Sequence, residues 1–191
     1  ITSGNDVTLV DAGDIDLGVS AVSGIYAVTA TSGNIANSGN LTITGAATFI
    51  AGATGSHIIL DSSGNAFATH VTMRAGNGSN AAFGNITFVD SAAVKLHTSA
   101  GTNGDLFIDA STDLAVGGNL SITATAGNIT QSSEVAVTGT SSFTTRATNG
   151  TITLSDTGNA FASAVTLSTT GSLAHATIDN GTTTLDIAAS S

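Results

Sequence analysis

The sequence predicts an all-β chain folded as a right-handed parallel β-helix, a β-solenoid in which each turn stacks on the turn before it. Three observations predict this fold: a long internal repeat, short segments of alternating side chains, and turn clusters of Gly, Asn and Ser between those segments. No segment of ten or more residues shows the apolar spacing that an amphipathic helix requires.

The internal repeat is the strongest of these observations. The segment Gly64–Ala68 (GNAFA) recurs unchanged as Gly158–Ala162, an offset of 94 positions (158 − 64), and the same offset aligns residues 30–73 with 124–167 without a gap. In that alignment 20 of 44 positions are identical. Because stacked units contact only their neighbours, long exact repetition favours a solenoid over a sandwich or barrel. We therefore expect one continuous solenoid segment over 1–191, with approximate units 1–94 and 95–188, taken from a much longer chain.

The predicted strands place apolar or β-branched residues at every second position, which is typical of half-buried strands. The Gly and Asn residues between them tolerate the positive φ angles of tight turns. If one turn takes about 20–24 residues, a length common among stacked repeats, each 94-residue unit supplies about four coils. The segments that show the alternation most clearly are 7–10, 41–44, 57–60, 85–89, 105–108, 120–123, 151–154 and 184–187.

Two sets of residues indicate how the turns stack. Asn recurs where strands begin, which predicts ladders of side-chain amides between neighbouring turns, at Asn34, Asn40, Asn85, Asn119 and Asn128. Four phenylalanines occupy equivalent places in the two units, and we expect them to pack in the core or at corners rather than on a binding face: Phe49, Phe143, Phe67 and Phe161.

Composition argues against two classes of partner. The formal net charge is −10, and the only Lys and Arg residues are Arg74, Lys95 and Arg146. Binding to nucleic acid or to an anionic membrane surface requires clustered basic residues. No apolar run approaches the length of roughly 18 residues that suggests a membrane span. We therefore predict no nucleic-acid partner and no membrane insertion.

One pair of carboxylates suggests a calcium site. Asp14 and Asp16 lie on the same face of a predicted strand, and Ca²⁺ prefers oxygen ligands. The glycine-rich nonapeptide of calcium-binding β-rolls is absent, however. The favoured interpretation is that Ile15 and Leu17 point inward and both aspartates face water, so we predict no metal site.

The remaining ionisable residues do not predict an enzyme. Asp105, Asp109 and Asp113 are close in sequence but lack a basic partner, and neither Arg74 nor Arg146 is repeated, since they align with Ser168 and Gly52. No Gly-x-Ser-x-Gly elbow is present. The histidines show no metal-ligand spacing and are expected at surface or turn positions: His57, His70, His97 and His175. The prediction is therefore no catalytic residue, no cofactor-binding residue and no cofactor.

Seven Asn-x-Ser/Thr sequons occur in the chain. They arise easily in a sequence so rich in Asn, Thr and Ser, and their glycosylation depends on the host. They begin at Asn40, Asn77, Asn85, Asn119, Asn128, Asn149 and Asn180.

Several runs resemble the repeats of filamentous-haemagglutinin-like exoproteins, which are giant bacterial surface adhesins, many of them exported by two-partner secretion. The runs that carry the resemblance are 118–132, 137–143 and 159–167. The resemblance implies an extracellular β-helix shaft at the bacterial cell surface, acting in attachment, aggregation or biofilm formation. The export module of that family carries Asn-Pro motifs, and this chain has no Pro. The segment would therefore be shaft rather than secretion domain or receptor-binding tip.

The resemblance also implies partners: other copies or neighbouring repeats placed end to end, and host or matrix surface glycans or proteins. The main alternative is a subunit of an extracellular filament, sheath or surface layer. More remote alternatives are a polysaccharide-active or an ice-binding β-helix. For the latter, the segments Thr42–Thr44 and Thr151–Thr153 are suggestive but are not stacked at a constant coil spacing.

Overall fold

The computed structural model describes residues 1, 4–76, 84–97, 105–108 and 114–191. The described residues form 22 β-strands and no helix. The strands are β1 Val7–Asp11, β2 Ile15–Leu17, β3 Ser20–Val22, β4 Tyr26–Ala30, β5 Ile35–Asn37, β6 Leu41–Ile43, β7 Ala47–Ala51, β8 Ile58–Leu60, β9 Ala66–Phe67, β10 Val71–Ala75, β11 Ile86–Asp90, β12 Val94–His97, β13 Asp105–Ile108, β14 Leu114–Val116, β15 Leu120–Ala124, β16 Ile129–Gln131, β17 Val135–Val137, β18 Ser141–Thr148, β19 Thr151–Leu154, β20 Ala160–Phe161, β21 Val165–Thr170 and β22 His175–Ile178.

The strands form two long sheets and two short ones. Sheet I has the order β1-β4-β7-β10-β13-β12-β16-β19-β22, and sheet II the order β2-β5-β8-β11-β15-β18-β21. Sheet III is β3-β6-β9, and sheet IV is β14-β17-β20. Neighbouring strands pair in parallel, for example β1 with β4 and β11 with β15. The predicted β-solenoid is thus confirmed, with about six turns.

The total of about six turns is lower than four turns in each of two units would give, because the spacing between stacked strands is uneven. Successive sheet I strands begin at positions 7, 26, 47 and 71, so each turn is longer than the turn before it. The longest interval lies at the boundary between the units, where β11, which begins at Ile86, and β15, which begins at Leu120, are direct neighbours. Strands β12 and β13 both enter sheet I within this interval and lengthen it.

The core lies between the sheets and follows the predicted alternation. In β4 the side chains of Tyr26, Val28 and Ala30 are fully buried, and the two between them are half-buried. Since parallel pairing repeats this register, apolar residues stack in columns along the axis.

An aromatic column runs through this core, which confirms the expected packing of the four repeated phenylalanines. All four are at most 4% exposed. Most contacts along the column are edge-to-face, a favourable geometry for aromatic rings. The centroid distances are 5.9 Å for Tyr26–Phe49, 6.2 Å for Phe49–Phe67, 5.2 Å for the tilted pair Phe67–Phe88, and 5.8 Å for Phe143–Phe161.

One predicted strand, 184–187, is wrong. Only Ile187 forms an isolated bridge, to Val165 of β21. Two interactions interrupt the ladder here: the Leu167 N–H donates to Ser190 Oγ instead of a backbone carbonyl, and the buried Asn180 amide donates to the carbonyl of Thr184. The segment therefore runs beside β21 without regular pairing.

The two units close their turns at opposite edges of the stack. In the first unit the chain passes from sheet I to sheet II by a short turn, residues 31–34, and returns through sheet III. In the second unit it passes from sheet II to sheet I by a short turn, residues 125–128, and returns through sheet IV. Because all strands within a sheet run in the same direction, sheets III and IV must lie at opposite edges.

Strands that are equivalent in sequence therefore exchange sheets between the units. The offset of 94 carries β4 and β7, which belong to sheet I, onto β15 and β18, which belong to sheet II. It likewise carries β8 of sheet II onto β19 of sheet I. The second unit is thus turned by about half a revolution relative to the first.

Candidate functional site

The predicted orientation of the Asp14–Leu17 segment is confirmed. Asp14 and Asp16 are exposed, while Leu17 is buried and Ile15 is half-buried. Each carboxylate accepts a hydrogen bond from the next turn, Asp14 from the Asn34 N–H at 2.7 Å and Asp16 from the Ser38 N–H at 2.8 Å. Among the described residues no group of three or more His, Cys, Asp or Glu side chains could hold a metal ion.

The other predicted candidates fall only partly within the described residues. Asp109, Asp113 and Asn77 lie outside the described residues, and the side chains of Asp105 and His97 are not described although their backbones belong to β13 and β12. His175 is exposed at the start of β22, and His70 is half-buried just before β10. Within the described ranges, no helix is long and apolar enough to cross a membrane.

A column of side chains at the entry to sheet II, the outer ladder, joins six successive turns. Each member stands immediately before a sheet II strand, and the side chain of every member but the last accepts a hydrogen bond from the backbone N–H of the member above. The acceptor–donor pairs are Asp14–Asn34 (2.7 Å), Asn34–His57 (2.8 Å), His57–Asn85 (2.8 Å), Asn85–Asn119 (2.8 Å) and Asn119–Thr140 (2.9 Å).

The outer ladder confirms that asparagines at strand entries link the turns, but the linkage differs from the predicted one. Side chains accept from backbone N–H groups, which satisfies donors at the corner that the sheet leaves free. His57 is a member of the ladder because its Nδ1 accepts from the Asn85 N–H, a role that its residue type did not indicate. Asn128 makes the equivalent bond to the Thr151 N–H at the entry to sheet I (2.9 Å), whereas Asn40 is exposed and outside the ladder.

The GNAFA motif of the second unit builds a buried polar centre, the second amide node, formed by Gln131 and Asn159. Asn159 is 2% exposed, and its Oδ1 accepts from Gln131 Nε2 (2.8 Å) and from the Val135 N–H (2.9 Å). Its Nδ2 donates to Gln131 Oε1 (3.0 Å), to the Leu154 carbonyl (3.2 Å) and to the Asp179 carbonyl (2.9 Å). One amide thus ties three consecutive turns together inside the core.

The same motif in the first unit makes a weaker centre, the first amide node, formed by Asn37 and Asn65. Asn65 Oδ1 accepts from Asn37 Nδ2 (2.8 Å) and from the Leu41 N–H (3.0 Å). Asn37 Oδ1 and Asn65 Nδ2 are buried without a hydrogen-bond partner. Asn37 aligns with Gln131, which is one methylene longer, so the shorter side chain closes only one of the two amide–amide bonds.

We expect the substitution Asn37→Gln to stabilise the protein by about 1 kcal/mol, the typical net value of one intramolecular hydrogen bond. The longer side chain brings its oxygen within reach of Asn65 Nδ2, as Gln131 does with Asn159. The measurement is the free energy of unfolding by denaturant titration. The reciprocal change Gln131→Asn is the matched control and should cost a similar amount; a loss of stability in both variants would contradict this explanation.

Asp90 closes the top of sheet III from a buried position. It is 3% exposed, and its Oδ1 accepts from the Phe67 N–H at 3.2 Å, while the Ser91 N–H donates to the Asn65 carbonyl at 2.8 Å. Burial raises the pKa of the Asp90 carboxyl above its ordinary value of 3.8, and hydrogen bonds from the backbone of Phe67, Ala92 and Ser91 oppose that rise. In the second unit the equivalent Phe161 N–H donates to Oδ1 of the uncharged Asn180 at 2.7 Å.

The raised pKa of Asp90 predicts a pH-dependent stability. Because the folded state favours the protonated carboxyl, its contribution to stability is fully present below pH 3.8 and is lost as pH rises through the folded-state pKa. We expect the free energy of unfolding of the wild type to fall, relative to that of Asp90→Asn, as pH rises from about 3.5 to 7. Chemical denaturation across this range measures it, with the exposed Asp186→Asn as control for the loss of one charge; a pH-independent difference would contradict the prediction.

These buried polar groups were not singled out from the sequence. For Asn65 and Asn159 a signal was present, since an Asn kept within an unchanged five-residue motif is a candidate for a specific buried role. For Asp90 the sequence carries no such signal, because its burial depends on strand β11 ending over sheet III. The arrangement as a whole cross-links successive turns, through the outer ladder at the surface and through the amide nodes in the core.

Comparisons with known proteins agree with this repeat architecture. No curated protein and no solved structure is matched. The chain does match a family described as repeats of unknown function (DUF5649), over residues 4–74 and 83–168. The two matched segments together include most of the chain, so the chain belongs to this family of repeats.

Proposed function

We propose that this chain is part of the structural shaft of a large extracellular bacterial adhesin or exoprotein of the filamentous-haemagglutinin-like type, which mediates cell-surface attachment, aggregation or biofilm formation. The role involves no catalysis and no cofactor. Its partners are neighbouring repeats or other copies placed end to end, and glycans or proteins of a host or matrix surface.

The observation that carries the proposal is the continuity of the stack from one unit to the next. Five consecutive residue pairs join β11 to β15, from Ile86–Leu120 to Asp90–Ala124. Buried apolar side chains also continue across this boundary, because Phe88 of β11 pairs with Ile122 of β15 and both side chains are at most 2% exposed. A shaft needs such continuity, since any unit that folded separately would leave a flexible joint.

The outward surface also suits a shaft. On the last four strands of sheet II, one outward column carries short hydroxyl side chains in direct register: Thr87, Ser121, Ser142 and Thr166. Small, uncharged side chains leave a narrow rod, and the net charge of −10 opposes non-specific association between rods. At about 4.8 Å per turn, the six or so turns would contribute roughly 30 Å of shaft length.

Cryo-electron microscopy of cells that produce the full-length protein tests the proposal. We expect single rods that project from the cell surface and bind an antibody raised against this segment. Rods packed into regular multi-chain fibres or sheets would instead support a filament, sheath or surface-layer subunit. Absence of antibody-labelled rods from the cell surface, with the protein found inside the cell, would overturn both.

Removal of residues 48–141 from the full-length protein adds a second test. The two ends of this deletion are equivalent positions of the repeat, so β7 continues directly as the end of β18 and the stacking pattern is preserved. A shaft role predicts shorter rods with unchanged adhesion per cell-bound molecule in a surface-attachment assay. Loss of adhesion with correctly folded, shorter rods would show that these repeats bind the target themselves.

A further inference from the structure

The two units exchange sheets, and this exchange sets the geometry of longer arrays. We infer that, in a tandem array of this repeat, each successive unit is turned by half a revolution about the axis of the solenoid. The short third sheet then alternates between two opposite edges, with a period of two units (2 × 94 residues). This inference extends the proposed shaft function. It depends on that proposal only in assuming that a longer array exists, since the rotation itself is present within this chain.

The junction between the units provides the first support. A second unit stacked without rotation would keep β15, the equivalent of β4, in sheet I, the sheet that contains β4. Instead Ile122 pairs with Phe88 of β11, and both side chains are at most 2% exposed. The rotated arrangement thus buries apolar side chains on both sides of the junction.

The end of sheet III provides independent support. Had the second unit continued without rotation, a third-sheet strand would pair with β9 from above. That place is taken by the end of β11 and the residue after it: Asp90 accepts the Phe67 N–H, and the Ser91 N–H donates to the Asn65 carbonyl. Because these groups at β9 are already bonded, the next third-sheet strand, β14, begins a new sheet at the other edge.

Rotation determines which side chains an array displays at its edges. The outward positions of sheet III are Ala21, Thr42 and Ala66, and the described outward positions of sheet IV are Ala136 and Ala160. All are small and uncharged. An array would therefore present this small-residue face alternately on its two edges instead of as one continuous stripe.

Engineered disulfides distinguish the rotated from the unrotated stack. The chain contains no cysteine, so each pair can be introduced without a competing thiol, and neighbouring parallel strands lie within the distance that a disulfide spans. The rotated stack predicts a bond between Thr87→Cys and Ser121→Cys, which face outward on β11 and β15. The unrotated stack would keep Ser121 in sheet I, away from Thr87 of sheet II, and predicts no bond between them.

The control pair is Thr48→Cys with Thr72→Cys, which are neighbours within the first unit in either arrangement. After mild oxidation, disulfide-linked peptides are quantified by mass spectrometry. We expect the 87–121 pair to form to a similar extent as the control pair. Failure of the 87–121 pair while the control pair forms would overturn the inference.

A distance measurement covers the case in which the paired cysteines disturb folding. Spin labels are attached at Thr42→Cys and Ala136→Cys, equivalent outward positions of sheets III and IV that are related by the repeat offset of 94. On one edge, the labels would be separated only by the axial rise of about four strand spacings, roughly 20 Å. The rotated stack adds the width of the solenoid and gives a clearly longer distance, whereas a distance that matches the axial rise alone would contradict it.

Discussion

Substitution of Asn159 by Ala should destabilise the protein by on the order of 4 kcal/mol, the largest effect we expect from one polar side chain. The change leaves the Val135 N–H and Gln131 Oε1 in the core without their partner. Each buried polar group left unsatisfied costs about 1–3 kcal/mol, and the cavity left by the amide adds to that cost. The free energy of unfolding by denaturant titration measures the effect.

The equivalent asparagine of the first unit, Asn65, supplies the control. Asn65→Ala removes the partner of the Leu41 N–H, but Asn65 Nδ2 has no partner to lose, and Asn37 Nδ2 keeps its bond to the Gly39 carbonyl. We therefore expect a loss of about 2 kcal/mol. Equal losses for the two variants would show that the hydrogen bonds of the second amide node do not determine its contribution.

Gly45→Ala should be comparably severe, for a reason of space. A Cβ at Gly45 would overlap the backbone carbonyl of Gly24 in the turn below, and no flexible side chain is there to give way. The equivalent pair in the second unit, Gly139 over Gly118, has the same close approach. Since the turns would have to separate at this corner, we expect a loss of about 3 kcal/mol, at the upper end of the usual cost of overpacking, measured as a lower midpoint of denaturant unfolding.

Gly18→Ala is the matched control, because a Cβ at Gly18 would have no heavy atom within 4 Å. Replacing Gly where the backbone conformation suits Ala usually has a small or favourable effect on stability. We expect a change within about 0.5 kcal/mol. If Gly45→Ala were tolerated as well as Gly18→Ala, close stacking of the turns at this corner would not be a constraint on the sequence.

Much of the fold could be predicted from local patterns and from the repeat. Alternation in segments such as Leu41–Thr44 is a property of neighbouring residues, and it identified β6 because inward and outward positions alternate along any strand. The 94-residue repeat identified the solenoid and the core phenylalanines, Phe49 and Phe143 among them. The prediction failed at 184–187, where the alternation is present but the nearby side chains of Asn180 and Ser190 interrupt the backbone pairing with β21.

Only the tertiary structure shows the features that depend on which turns are neighbours in the stack. Asn65 and Asn159 stand in identical five-residue motifs, yet one has an unpaired amide nitrogen and the other makes three donor bonds, because the turns around them differ. His57 serves as a rung only because Asn85, one turn later, is stacked above it. The half-turn between the units likewise follows from the pairing of β11 with β15. The amino-acid sequence by itself determined the strands and their inward faces, which are local; the partners of each strand and of each buried polar group are set by contacts between residues a full turn or more apart in the chain, and only the folded stack specifies them.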